Sequence, residues 1–140
     1  MSVTAMLPET IKRRDEFFNR AKAAGYMMIQ TSGFRSYDEQ LSLYQRWITG
    51  QGAYAVNPDV KQSKHMTGEA FDAAPVSVRS WYGGIEHWEG VERGWDSLTD
   101  ESIEELGAIA ESVGLKWGGR FVSTPRENWH FELSQNFSRA

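Results

Sequence analysis

A single carboxylate interrupts a short apolar run in the middle of this chain. Asp72 lies within residues 70–76, whose other members are small or apolar and predict a buried strand. A buried carboxylate is strongly destabilising unless a cation or a hydrogen-bond donor pairs with it. The fold must therefore bring a partner to Asp72, and a metal ion is one partner that would meet this need.

The composition limits which groups could hold such a metal. The chain contains no cysteine, which excludes disulfide scaffolds, thiolate zinc fingers, iron–sulfur clusters and cysteine nucleophiles. A transition metal must therefore be held by histidine, aspartate, glutamate or water, and the only histidines are His65, His87 and His130. The net charge of -4 argues against nucleic acid as the main partner, because phosphate binding favours a basic surface.

His65 and Asp72 can share a metal only if the chain folds back between them. Seven residues of extended chain span up to ~23 Å, whereas two ligands of one zinc ion lie within a few ångströms of each other. Thr67-Gly68 is the expected place for the tight turn.

A second cluster near the end of the chain places Glu127 three residues before His130. If His130 is a third ligand, Glu127 can lie across a turn from it, close to the metal without binding it. A general base belongs at that position, within hydrogen-bond reach of the water that the metal activates. Three protein ligands with one open position are typical of a catalytic zinc site rather than a structural one.

Helix and strand signals alternate along the chain and predict one α+β domain over residues 1–140. We expect its helices to pack on a small, mainly antiparallel sheet that carries the metal site. The apolar stripes at 11–21 and 41–48 are interpreted as core. Helices are predicted over 8–24, 36–50 and 99–113, strands over 26–31, 70–76, 116–117 and 129–133, and irregular segments over 51–68 and 77–97.

Both clusters resemble the zinc peptidases that include D-Ala-D-Ala carboxypeptidases, vancomycin-resistance dipeptidases and phage L-alanyl-D-glutamate endolysins. The second family motif, an acid three residues before a histidine, is matched by Glu127 and His130. The segment 32–36 with Gln40 is similar to an upstream family motif, and 115–119 is similar to a segment of the endolysin branch. The first family motif, Ser-x-His-x-x-Gly-x-Ala-x-Asp, is matched by Ser63, His65, Gly68, Ala70 and Asp72.

The resemblance implies the ligands and the base. One zinc ion per chain would be held by His65, Asp72 and His130, and Glu127 would act as base and later as proton donor. Arg35 would bind and polarise the scissile carbonyl. The remaining substrate contacts implied by the resemblance come from Ser63 and Gln40, beside Arg35.

Several alternatives remain open at the level of single residues. A structural salt bridge is the alternative role of Arg35, and capping of a turn is the alternative role of Ser63. Glu132 would either orient a metal ligand or be an exposed strand carboxylate. His87 is expected on the surface within the insertion 77–97. The aromatic residues of that insertion would either line the substrate cleft or cover a small core; they are Trp81, Tyr82, Trp88 and Trp95.

The expected function is hydrolysis of an amide bond in the peptide stem of bacterial peptidoglycan. The chain shows neither a signal-peptide core nor a membrane-spanning run. We therefore expect a monomeric phage endolysin that cleaves L-Ala–D-Glu and stays in the host cytoplasm until it is released to the wall.

One alternative function is a D-Ala-D-Ala carboxypeptidase or dipeptidase. A second alternative is a non-catalytic zinc module that binds the wall or associates with a phage tail; Hedgehog-type signalling domains share this zinc fold. A third is that His65 and His130 are an ordinary histidine pair and Asp72 is a structural aspartate, with no metal.

Overall fold

The described residues of this computed structural model form three helices and six strands. They cover 5–76, 78–82, 85–89 and 94–134, with backbone alone for 78–82 and 85–89. The elements in chain order are α1 (Pro8–Ala23), β1 (Met28–Ser32), α2 (Tyr37–Ile48), β2 (Ala70–Pro75), β3 (Val78–Tyr82), β4 (Ile85–Glu89), α3 (Asp100–Ser112), β5 (Leu115–Trp117) and β6 (His130–Leu133).

Four of the strands form an antiparallel sheet in the order β1-β2-β6-β5. The two central strands place Asp72 and His130 directly opposite each other. A register shift between Gln30 and Ser32 in β1 brings Ser32 opposite Asp72 on the other side. This arrangement confirms the predicted α+β class with an antiparallel sheet.

Local sequence signals account for where the helices begin. Pro8 occupies the first turn of α1, where its missing N–H costs nothing. Ser36 and Glu39 form a reciprocal capping box at the start of α2, as predicted. The Thr99 side chain accepts a hydrogen bond from the backbone N–H of Ser102 at the start of α3. No helix in the described ranges is long and apolar enough to cross a bilayer.

The core lies between the sheet and helices α1 and α3. Phe71 and Phe131 stack across the central strands with ring centroids 5.5 Å apart, and Phe17 of α1 packs 4.8 Å from Phe131. The apolar stripe predicted as core in α1 began at Ile11, and this position is wrong. Ile11 is exposed, and its neighbour Thr10 is fully buried instead. The Thr10 hydroxyl donates a 2.7 Å hydrogen bond to the carbonyl of Gly68, and this contact satisfies the buried polar group.

The prediction that 41–48 is core is also wrong. Gln40 is the buried residue of α2, whereas Trp47 and Ile48 are exposed by 38% and 56%. The helix is attached through the polar Gln40 side chain, which donates to the Val56 carbonyl. Its apolar residues therefore stay largely at the surface.

The insertion 77–97 is not irregular throughout, because β3 and β4 pair as an antiparallel hairpin. Gly83-Gly84 between two aromatic- and β-branched-containing runs is the sequence signal for such a hairpin. His87 therefore falls on β4, and its side chain, like those of Trp81, Tyr82 and Trp88, lies outside the described residues. Trp95 follows the hairpin, is buried in the core and donates its indole N–H to the Ala73 carbonyl at 2.9 Å.

Helix α3 approaches β5 through Gly107. A methyl group added there would lie 2.2 Å from the Trp117 ring, so the absence of a side chain permits this contact. The Trp117 indole also donates to the Asn128 carbonyl at 2.8 Å, which links α3 to the segment before β6.

We expect Gly107→Ala to destabilise the fold by about 1–3 kcal/mol, because the new methyl group overpacks the contact with Trp117. Helix propensity alone would stabilise this variant by about 1 kcal/mol. Chemical denaturation measures the free energy of unfolding. Ala108→Gly, at the neighbouring exposed position, is the control. It measures how much helix propensity alone contributes to an exchange of alanine and glycine in α3. A Gly107→Ala variant more stable than the parent would contradict the packing argument.

Candidate metal centre

Three side chains meet at the centre of the sheet as the sequence predicted. His65 Nε2 lies 3.2 Å from Asp72 Oδ1, and His130 Nδ1 lies 3.6 Å from the same oxygen. One ligand atom from each of the three residues lies within 4.8 Å of the others, and all three residues are buried. Donor atoms about 2.0–2.2 Å from a tetrahedral zinc ion lie ~3.4 Å apart, so the spacing suits a single ion.

A tight turn brings His65 next to the strand that carries Asp72. Gly68 has φ +76°, a conformation that glycine adopts without steric cost. Its carbonyl also accepts a hydrogen bond from the backbone N–H of Leu7, just before α1. The predicted turn at Thr67-Gly68 is therefore confirmed, and the start of α1 holds it in place.

The outer nitrogens of both histidines are engaged. His65 Nδ1 lies 2.9 Å from the carbonyl of Gly33, and a carbonyl can only accept, so Nδ1 donates to it and Nε2 faces Asp72. His130 Nε2 lies 2.8 Å from Glu132 Oε1. Such outer partners fix the orientation and basicity of metal-binding histidines. The interpretation of Glu132 as a partner of His130 thus agrees with the geometry.

Asp72 provides a direct test of whether these residues suit a cation. Its Oδ2 accepts a 2.9 Å hydrogen bond from Arg35, whereas its buried Oδ1 accepts none from any described residue. Buried polar atoms rarely lack a partner. The unpaired oxygen faces both ring nitrogens, and a metal ion bound there would satisfy all three atoms. The donor set therefore fits a metal such as zinc.

Opposing effects set the ionisation of the two central residues. Burial alone would raise the pKa of Asp72, but His130, His65 and Arg35 outweigh it and hold that pKa well below its ordinary value. Burial alone would lower the pKa of His130, but Asp72 and Glu132 raise it to about 9. In the metal-free protein, His130 is therefore a cation beside a carboxylate at neutral pH.

Glu127 lies at the edge of the same cluster. Its Oε1 is 3.8 Å from His130 Nδ1 and its side chain is mostly buried. Burial is the main cause that raises its pKa. The Glu127 backbone N–H donates to the carbonyl of Gly118, and the His130 N–H donates to that of Glu127. This turn places Glu127 near the ligands without making it one of them, as the spacing predicted.

The other predicted site residues lie around this centre. Arg35 donates to Asp72 and also to Gln40 Oε1 at 3.3 Å, so it forms the salt bridge named as its alternative role. Gln40 is 1% exposed and has both ends of its amide engaged. Ser63 Oγ accepts a 3.3 Å hydrogen bond from the His65 N–H and thereby caps the turn. Substrate contact by these three residues remains a prediction.

The metal centre opens into a groove of about 1080 Å³. One wall contains residues of α2 and of the segment 52–56. The opposite wall contains Lys116, Phe121 and residues 123–124. The lining includes Arg35, which follows β1, and Leu115 and Lys116 of β5, so it contains residues next to both outer strands of the sheet.

Sequence reasoning missed two backbone contributions to this site. A methyl group on Gly118 would lie 2.3 Å from the Glu127 carbonyl and 2.9 Å from His130 Cβ, so this glycine allows both residues to approach. The carbonyl of Gly33 orients His65. Both glycines belong to segments noted for their resemblance, but the side-chain pattern alone gives no sign of a backbone acceptor or a close approach.

We expect Zn²⁺ binding to the metal-free protein at neutral pH to release about one proton, because metal ligands must be deprotonated and the pKa of His130 is about 9. The affinity for Zn²⁺ should therefore rise with pH and level off above the pKa of His130. Calorimetry in buffers of different ionisation enthalpy counts the protons. A binding enthalpy independent of the buffer would contradict the assignment of His130 as a ligand.

We expect Gly118→Ala to weaken zinc binding, because the new methyl group displaces His130 and the Glu127 carbonyl. A loss of about tenfold or more in affinity would be typical of a disturbed ligand environment. Competition with a chromophoric chelator measures the affinity. Gly52→Ala is the matched control, since its nearest neighbours are atoms of the exposed Arg46 side chain and backbone. Equal affinity in the two variants would refute the role of Gly118.

Solved structures of similar fold come from cell-wall peptidases. The LD-carboxypeptidase LdcB, whose structure concerns peptidoglycan recognition, aligns with a TM-score of 0.64 and 21% identity over 96% of this chain and 68% of that chain. The L-Ala D-Glu endopeptidase ChiX of Serratia marcescens aligns with a TM-score of 0.58 and 18% identity over 97% and 86%. A vancomycin-resistance D,D-pentapeptidase VanY in complex with Zn(II) aligns with a TM-score of 0.58 and 17% identity over 91% and 72%.

A family model extends this likeness in fold to the sequence. The model described as VanY, D-alanyl-D-alanine carboxypeptidase, matches residues 4–134. That range holds both clusters identified from the sequence and every ligand of the candidate metal centre. The expected enzyme class is thereby confirmed, and the chain belongs to the VanY family of peptidases.

Proposed function

We propose that this protein is a zinc-dependent peptidase that hydrolyses an amide bond in the peptide stem of bacterial peptidoglycan. The observation that supports this proposal most directly is that His65, Asp72 and His130 converge in an open groove, with Glu127 beside them. Family membership and the similarity in fold to peptidoglycan peptidases support this substrate class.

The zinc ion would be held by His65, Asp72 and His130. When bound, it would supply a Lewis acid that polarises a carbonyl and lowers the pKa of a water molecule to ~7. Two observations support this ligand set: the buried Asp72 Oδ1 accepts no hydrogen bond from the described residues, and His65 Nε2 and His130 Nδ1 both face it.

Glu127 accepts a proton from the attacking water and delivers it to the leaving amine. Burial raises the pKa of this carboxyl towards the operating pH, which makes both transfers easier. Arg35 lines the groove beside the ligands and directs positive charge towards the carbonyl oxygen that becomes negative during the reaction. Its bond to Asp72 and the bond from Arg35 to Gln40 hold the guanidinium in place.

We assign the cleaved bond as L-Ala–D-Glu. The groove is lined by residues near both outer strands, β1 and β5, which supports a substrate with chain on both sides of the scissile bond. Cleavage at this bond detaches the stem beyond its first alanine, with its cross-links, from the glycan, so it would suit a lytic enzyme released to the wall by a phage.

A D-Ala-D-Ala carboxypeptidase is the second candidate function. The family model carries that description, and a related structure is of VanYB in complex with D-alanine-D-alanine. This activity needs a cationic or N–H pocket for the free carboxylate of the substrate. Lys61, Lys64 and Lys116 supply cations along the groove walls.

We expect Glu127→Gln to retain one zinc ion per chain and to lose about 10²–10⁴ in turnover rate, because the amide cannot accept the proton. Elemental analysis and release of peptides from purified peptidoglycan measure the two effects. Glu104→Gln is the control, since Glu104 lies on the exposed side of α3 and pairs with Arg120. Activity of Glu127→Gln near the parent level would show that another group is the base.

Mass spectrometry of digested peptidoglycan identifies the bond. We expect new L-Ala carboxyl termini and D-Glu amino termini from the parent protein. Released D-Ala would instead assign the carboxypeptidase function. Binding to sacculi with no released peptide from any wall type would contradict both and indicate a zinc-containing binding module.

A further inference from the structure

Helix α2 carries an aromatic surface that the proposed reaction does not use. The rings of Trp47 and Tyr54 pack edge to face with centroids 4.8 Å apart, and Tyr44 lies 6.0 Å from Trp47. Trp47 is 38% exposed, and the other two rings are half-buried. We call these three residues the α2 aromatic platform. Exposed aromatic clusters on soluble proteins mark interaction sites more often than isolated apolar residues do.

The platform is continuous with the metal centre. Arg35 joins Asp72 to Gln40, and Gln40 holds the Val56 carbonyl at 3.2 Å. Tyr54 lies two residues before Val56 and, like Leu43 of α2, lines the same groove. Trp47 lies seven positions after Gln40 on the helix, a rise of about 10 Å. The platform therefore adjoins the groove through Tyr54, against which Trp47 packs.

The chemistry of the substrate brings a sugar close to this place, if the enzyme cleaves L-Ala–D-Glu as proposed above. One alanine and one lactyl group then separate the scissile bond from the sugar ring, a reach of about 7 Å in extended form. The glycan strand continues from that ring in both directions. The platform adjoins the groove through Tyr54, so a strand that continues along the groove can contact it.

The surface chemistry also suits a sugar. The C–H face of a pyranose ring is apolar and carries a slight positive charge, and it stacks on the negative face of an aromatic ring. Hydroxyl and acetamido groups at the sugar edge need hydrogen-bond partners. Arg46, which lines the groove, and the exposed Gln45 and Gln51 lie near the platform in sequence and can supply them.

We infer that the α2 aromatic platform binds the glycan strand of peptidoglycan and so places the N-terminal side of the stem on the α2 wall of the groove. This inference rests on the proposed function for its substrate class. It adds a sugar subsite to a peptide-cleaving centre and assigns a direction to the substrate.

Binding to glycan strands stripped of peptide stems tests the platform directly. NMR titration of the ¹⁵N-labelled parent should show shifts in α2 and in the segment 52–56. Trp47→Ala should lose about tenfold or more in affinity, because one stacking contact is removed. Ile48→Ala, at the neighbouring exposed position, should bind like the parent. No binding by the parent at millimolar glycan would overturn the inference.

Kinetic measurements distinguish two roles of Trp47. It would either bind the sugar or support the segment 52–56 by packing on Tyr54. Trp47→Ala should lower kcat/KM on glycan-linked stems by about tenfold, with activity on the free stem peptide unchanged and with partial rescue by Trp47→Phe. Equal losses on both substrates would show a structural role and overturn the inference. If the parent cleaves no stem peptide, the proposed function fails, whereas the titration still decides whether the platform binds glycan.

Discussion

The burial of one negative charge governs the arrangement of this molecule. Asp72 lies on the central strand β2, all of whose residues are buried. A carboxylate in that position needs cations or hydrogen-bond donors around it to offset its loss of hydration. His130 approaches from the paired strand, His65 from the turn before β2, and Arg35 from the segment after β1. Arg35, the segment 65–72 and His130 come from three separate parts of the chain, so the charge ties these parts together.

The same arrangement leaves one oxygen of this carboxylate without a hydrogen bond from the described residues. Arg35 satisfies one oxygen of Asp72, while the other faces two ring nitrogens without a hydrogen bond from the described residues. The outer nitrogens of the histidines are held by Gly33 and Glu132, so neither ring can turn away to find other partners. This rigidity favours a cation at the point of convergence, because the ligands need little rearrangement to bind it.

The sequence pointed to His65, Asp72 and His130 as candidate metal ligands, and the structure brings their side chains together. Asp72 in an apolar strand and a glycine turn after His65 follow from local chemistry alone. The roles of Thr10, Gly107 and Gly118 could not be predicted, because each depends on a close approach of segments far apart in the chain. The exposure of Trp47 was missed for a related reason: helical periodicity shows that a face is apolar but does not show what covers it.

Helix α2 follows from these constraints. Its fully buried contact is the amide of Gln40, which serves the Arg35 guanidinium and through it Asp72. A helix held through a polar contact needs no apolar face towards the core, and the aromatic residues further along it are free to serve the groove. The residue that stabilises the charged centre thus also anchors the helix that carries Trp47, whose ring packs on Tyr54. Catalysis and recognition of the longer polymer would then depend on one chain of contacts, from the metal ligand to the outer wall of the groove.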